Sequence, residues 1–69
     1  MLEAKISDRI KELRVEYKLS QSMLGDKLSV SQDTISLWET DKALPSTEHI
    51  ILICKIFEIS ADYLLCLVD

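Results

Sequence analysis

An all-α domain of five short helices is predicted by three features of this 69-residue chain. Apolar residues recur at steps of three and four. Serines at positions 20, 31, 46 and 60 each stand directly ahead of a helical stretch, where a hydroxyl can cap the free N–H groups of a first turn. The chain holds one glycine and one proline, which suits helices better than a sheet with many turns.

Ile6, Ile10, Leu13 and Tyr17 follow one another at steps of four, three and four, predicting an amphipathic helix over about residues 5 to 18. Lys5, Asp8, Arg9, Lys11, Glu12 and Glu16 fill its other face. Leu19 and Ser20 end it, and Ser20 caps a second helix that runs to about Leu28 with Leu24 and Leu28 as its apolar stripe. Ser29 and Val30 make a turn, and Ser31 caps a third helix, Gln32 to Thr40, whose stripe is Ile35 and Trp38. Trp38 at that spacing reads as core rather than as a stacking surface. Asp41 to Leu44 connect to Pro45, which favours extended backbone before it and a helix start after it. Ser46 then caps a fourth helix, Thr47 to Phe57, and Ser60 a fifth, Ala61 to about Leu67.

The fourth helix contains HIILICKIF, in which seven of nine residues are apolar. A helix apolar all round is normally buried on all sides, and so small a domain has too little protein to cover it. Part of this surface, with the YLLCLV run after it, is expected to meet another chain. No repeat or linker divides the sequence, so residues 1 to 69 read as one domain, with residues 47 to 69 also contributing to dimerisation.

Composition narrows the function. A chain of this size buries about 60 % of its unfolded surface, which leaves little room for a catalytic cavity. Cys54 and Cys66 lack the CxxC spacing of a zinc site and the density of a disulfide scaffold, so reduced thiols are expected. His49, the only histidine, has no metal or catalytic pattern around it, and at i, i+5 from Cys54 it lies on another helix face. Neither enzyme nor cofactor is expected. The opening MLEAKISDR has no apolar core of a signal peptide, and the longest apolar run, Ile50 to Cys54, cannot cross a membrane. A cytoplasmic protein is the expectation.

The net charge of −4 opposes nucleic-acid binding, where phosphate contacts need Lys and Arg. Its distribution is uneven: residues 1 to 19 carry +1, residues 20 to 42 carry −2, and residues 43 to 69 carry −3.

The pattern of Leu19, Ser20, Gln21, Leu24, Leu28, Val30, Ser31, Ile35, Ser36, Trp38, Glu39 and Pro45, followed by Phe57, Ile59, Ser60, Asp62, Tyr63, Leu64 and Leu65, resembles the helix-turn-helix domain of the phage repressor and Cro family. The likeness spans Ile6 to Leu65 and is most specific from Gln21 to Glu39. It departs at Ser29 and Glu58, where the family usually has glycine because the backbone there tends to be left-handed, and at Gly25, where it usually has alanine.

The resemblance implies a compact five-helix domain of the lambda-repressor-like type, in which helix 2 crosses the DNA backbone and helix 3 enters the major groove. It places Gln32, Asp33, Thr34, Ser36 and Leu37 at base edges, and Gln21, Thr40, Lys42 and Ser46 at phosphates. Glutamine can bind adenine through N6 and N7, aspartate can accept from cytosine N4, and an aliphatic side chain can pack on a thymine methyl. Asp33 can equally serve only the helix dipole, and Gln21 and Lys42 can be plain surface residues. Arg14 and Glu39 match a structural ion pair of the family. A homodimer is implied, with Leu52, Ile56, Leu64, Leu67 and Val68 as its interface, binding double-stranded DNA as a transcriptional regulator, a repressor. The −2 charge of the motif keeps a second reading open, a helix-turn-helix fold that binds a protein partner, as another regulator or an antitoxin would.

Overall fold

The computed structural model describes residues 5–68, in which five helices follow in the predicted order: α1 (Ile6–Glu16), α2 (Gln21–Leu28), α3 (Gln32–Glu39), α4 (Thr47–Phe57) and α5 (Ala61–Leu64). Residues 1–4 of the opening stretch, and residue 69, lie outside the described residues.

The four serines act as read. Each Oγ accepts from the backbone N–H three residues on: Ser20 from Met23 at 3.0 Å, Ser31 from Thr34 at 3.1 Å, Ser46 from His49 at 3.3 Å and Ser60 from Tyr63 at 3.1 Å. Such a cap stabilises a helix by about 1 kcal/mol. Only α1 starts without one, at Lys5.

All five helices stop the same way. A non-glycine residue turns left-handed, at Lys18, Ser29, Asp41, Glu58 and Cys66, and the next N–H reaches back five residues. The bonds run Leu19 to Arg14 O, Val30 to Gly25 O, Lys42 to Leu37 O, Ile59 to Cys54 O and Leu67 to Asp62 O, at 2.8 to 3.0 Å. This is the Schellman ending, for which glycine is the usual residue. The left-handed positions also set the boundaries that differ from expectation: α1 stops at Glu16 and α5 at Leu64, because Lys18 and Cys66 have φ of 58° and 62°. Ser29→Gly and Glu58→Gly should each raise stability by about 1 kcal/mol, less the entropy that glycine adds to the unfolded chain. Thermal unfolding checks this, and an unchanged or lower midpoint would show that the serine and glutamate carry no strain.

The core gathers one face of every helix: Ile10 and Leu13 from α1, Leu24 and Leu28 from α2, Ile35 and Trp38 from α3, Ile53 and Phe57 from α4, and Leu64 from α5. Fully burying such a side chain contributes roughly 1.5–3 kcal/mol. Leu19, Val30 and Ile59, each just after a left-handed residue, fold back onto this core. The Arg9 guanidinium lies 4.1 Å from the centre of the Tyr63 ring and ties α1 to α5.

Gly25 marks the closest approach of α2 to the turn. A Cβ there would stand 2.6 Å from the Val30 carbonyl oxygen, and the Val30 N–H is bonded to Gly25 O at 2.9 Å. Backbone held on both sides cannot swing aside. Gly25→Ala should therefore destabilise by about 1 kcal/mol or more, overpacking outweighing the gain in helix propensity; a rise in the urea midpoint would contradict it.

Candidate nucleic-acid interface

Helix α3 has two faces of opposite character. Ile35 and Trp38, 0 % and 4 % exposed, point into the core. Gln32, Asp33 and Leu37 are exposed, with Ser36 half-buried beside them. Four of the five residues expected at base edges thus share the outward side of one helix. The fifth, Thr34, is half-buried, and its hydroxyl is hydrogen-bonded to Ser31 Oγ at 3.0 Å, so it serves the cap first.

The expected ion pair holds this helix to the rest of the domain. Arg14 Nε donates to Glu39 Oε2 at 2.6 Å and Nη2 to Oε1 at 3.0 Å, while Nη1 donates to Leu19 O at 2.9 Å. The side chains are 13 % and 3 % exposed. One guanidinium thereby joins α1, the end of α3 and the connection before α2, in the bidentate geometry that makes such pairs strong. The Glu39 hydrogen bond raises the affinity of Arg14 for its proton, against the opposing effect of burial.

Gln21 opens α2 where its cap leaves free N–H groups. Its side chain is not simply exposed. Nε2 donates to Glu39 Oε1 at 3.2 Å, and Oε1 accepts from Gln32 Nε2 at 3.4 Å. No residue pattern signals this link, which joins positions 11 apart across the turn.

The other residues expected at phosphates, Thr40, Lys42 and Ser46, all follow α3. Lys42 is exposed in the connection after α3 and Lys27 in the last turn of α2. Ser46 Oγ caps α4 and bonds His49 Nδ1 at 2.8 Å. The Thr40 hydroxyl donates to Ser36 O at 2.7 Å and its backbone N–H to the same carbonyl at 3.0 Å. Both donors close the end of the helix, so a phosphate contact from Thr40 would need its hydroxyl to rotate away from Ser36. His49, assigned no role in the sequence, sets its ring 5.2 Å from that of Trp38 and so seats the start of α4 against α3.

The acidic balance of the motif also looks different in three dimensions. Glu39 is neutralised by Arg14, and Asp41 by Lys5 at 3.0 Å, both cations coming from the first segment. What remains on α2, α3 and the following connection is Asp26 and Asp33 against Lys27 and Lys42. The surface is balanced rather than repulsive.

The proposed dimer surface needs one correction. Leu64 is 0 % exposed and belongs to the core, because this last residue of α5 lies on its inward face, in one cluster with Ile53 and Phe57 of α4. Ile56 is half-buried against the same core. Leu52, Leu67 and Val68 stay exposed, joined by Ile51 and Leu65, which the sequence reading did not single out. Nearby, an open groove of about 430 Å³ is lined by Lys5, Ile6, Asp41, Leu44, Pro45, Ile50 and Leu65. Among the described residues, no group of three His, Cys, Asp or Glu side chains is placed to hold a metal ion. None of their helices is long and apolar enough to cross a membrane.

Residues 10–64 match the family model described as helix-turn-helix. The transcriptional activator BcrR of Enterococcus faecalis is 36 % identical over 59 residues, 86 % of this chain and 29 % of the relative. Repressor protein C2 of Salmonella phage P22 is 35 % identical over 60 residues, 87 % of this chain and 28 % of the relative. The crystal structure of that P22 c2 repressor in complex with synthetic operator 9T superposes with a TM-score of 0.84 at 34 % identity, covering 90 % of this chain and 94 % of the solved one. The chain thus spans under a third of the length of these two curated relatives.

Proposed function

The chain belongs to the helix-turn-helix family of phage-repressor and Cro type, and on that premise we propose that it is a sequence-specific transcriptional regulator that binds double-stranded DNA as a homodimer and represses by occupying an operator. One observation carries the reading: α3 turns Gln32, Asp33, Ser36 and Leu37 to one side while Ile35 and Trp38 anchor it from behind. That is the arrangement a recognition helix needs, since base edges are read only by side chains that leave the helix on one face. The local charge balance lessens the electrostatic objection to it. A cytoplasmic, non-enzymatic role follows from the same reading.

With few unpaired cations, each half-site gains little from counterion release, and pairing two recognition helices about one helical turn apart supplies the affinity. The exposed apolar residues of α4 and of the segment after α5 are the surface through which two copies meet. Light scattering at high concentration tests this, and a strict monomer contradicts it.

Binding to the DNA upstream of its own gene, measured against salt and competitor DNA, tests the function. Specific binding with a shallow salt slope supports it. No specific binding together with a co-purifying protein favours the partner-binding reading. Within a selected site, Asp33→Ala should abolish a preference for cytosine worth about 1 kcal/mol at one half-site position. An unchanged preference would leave Asp33 only a helix-dipole role.

A further inference from the structure

Four side chains form one hydrogen-bonded series whose direction is dictated from its buried end. Arg14 can only donate, and a carboxylate can only accept. Glu39, with its side chain 3 % exposed, takes both Arg14 bonds and keeps acceptor capacity at Oε1. The Gln21 amide reaching that oxygen at 3.2 Å must therefore turn its NH2 inward, which leaves Oε1 facing out. Gln32 can bond to that outward oxygen only through its own NH2, as it does at 3.4 Å. Gln32 retains one N–H and its oxygen, in a fixed order, for whatever lies in front of α3.

We propose that Glu39 is a positioning residue for base recognition: it sets the order in which Gln32 presents donor and acceptor, and so selects adenine at the position that Gln32 faces. The proposal rests on the DNA-binding reading above. Adenine shows an acceptor at N7 and a donor at N6 side by side, so a glutamine amide matches it in one orientation only; reversed in the same register, it sets donor against donor and acceptor against acceptor. Glutamine at position 39 undoes the constraint. Its oxygen answers Arg14, its NH2 takes Gln21 Oε1, and each later amide then turns over. Gln21→Ala instead cuts the series and leaves the Arg14–Glu39 pair in place.

The test is selection of sites from a random double-stranded DNA library by the full chain, as wild type, Glu39→Gln, Gln21→Ala and Gln32→Ala. The last variant identifies the base position under Gln32. The expected result is a wild-type preference for adenine at that position that falls about tenfold in Glu39→Gln and weakens in Gln21→Ala, while preferences elsewhere in the half-site hold. Adenine preference retained in both variants, with affinity lowered evenly at every position, overturns the proposal and leaves Glu39 a purely structural role. If Glu39→Gln does not fold, Gln21→Ala alone decides, because retained preference in that variant overturns the proposal too. A wild type that selects no sequence overturns the DNA-binding reading itself, and the two failures are thereby distinct.

Discussion

Replacing Glu39 by alanine is expected to destabilise the domain by about 3–5 kcal/mol, because it leaves the Arg14 guanidinium shielded from water with its main partner gone. Arg14 keeps only its bond to Leu19 O, which does not neutralise the charge. For a chain of 69 residues, total stability is on the order of 3–10 kcal/mol, so much of the Glu39→Ala protein should be unfolded at room temperature. The cost lies in the orphaned charge rather than in the pair's own worth. Replacing both partners with apolar residues of similar size, Arg14→Met with Glu39→Leu, should recover most of the loss. Circular dichroism in urea on the single and double variants measures this. A double variant as unstable as the single one would mean that the pair itself, with its bonds to Leu19 and Gln21, supplies the stability.

The serine caps made the helix starts legible, and the helix ends were the harder part. Ser20, Ser31, Ser46 and Ser60 each precede an apolar stripe, a local signal that needs no tertiary context. A left-handed stop carries such a signal only when glycine marks it, and no helix here stops at one. Lys18, Asp41 and Cys66 therefore went unread, whereas Ser29 and Glu58 were found through the family's glycines. One cue was present: Lys18-Leu19-Ser20, Ser29-Val30-Ser31 and Glu58-Ile59-Ser60 repeat a polar residue, an apolar residue that folds back on the core, and a capping serine.

The outward face of α3 was legible because a 3.6-residue period separates Ile35 and Trp38 from Gln32, Asp33 and Leu37. What the sequence hid were relations across the turn. Counting charge by segment gave the motif −2, since Lys5 and Arg14 sit in another segment and reach Asp41 and Glu39 only in the folded chain. The bond from the Thr40 hydroxyl to Ser36 O, which closes the helix behind it, has no mark in the sequence either. Leu64 stands in an apolar run, YLLCLV, that does not show which residue faces inward, and only the packing of α5 against α4 places Leu64 in the core while Leu65 and Leu67 stay exposed.

Trp38→Ala is the other change with a large expected effect, about 3–5 kcal/mol, the usual cost of emptying a buried indole site. Trp38 is 4 % exposed and sits in the core formed by all five helices. Its ring also meets His49, which places the start of α4. The cavity therefore loosens α3 on its inner side, where nothing polar can compensate. Trp38→Phe keeps most of the apolar area and should cost less than half as much. The same pair of variants separates the core role from a stacking role on DNA. A core residue predicts that Trp38→Phe loses stability and keeps both affinity and base preference once conditions restore full folding. A residue that stacks on nucleic acid predicts the reverse, lost affinity in a protein whose unfolding midpoint has not moved. Denaturation followed by circular dichroism, paired with binding to a selected site below the midpoint of each variant, decides between them.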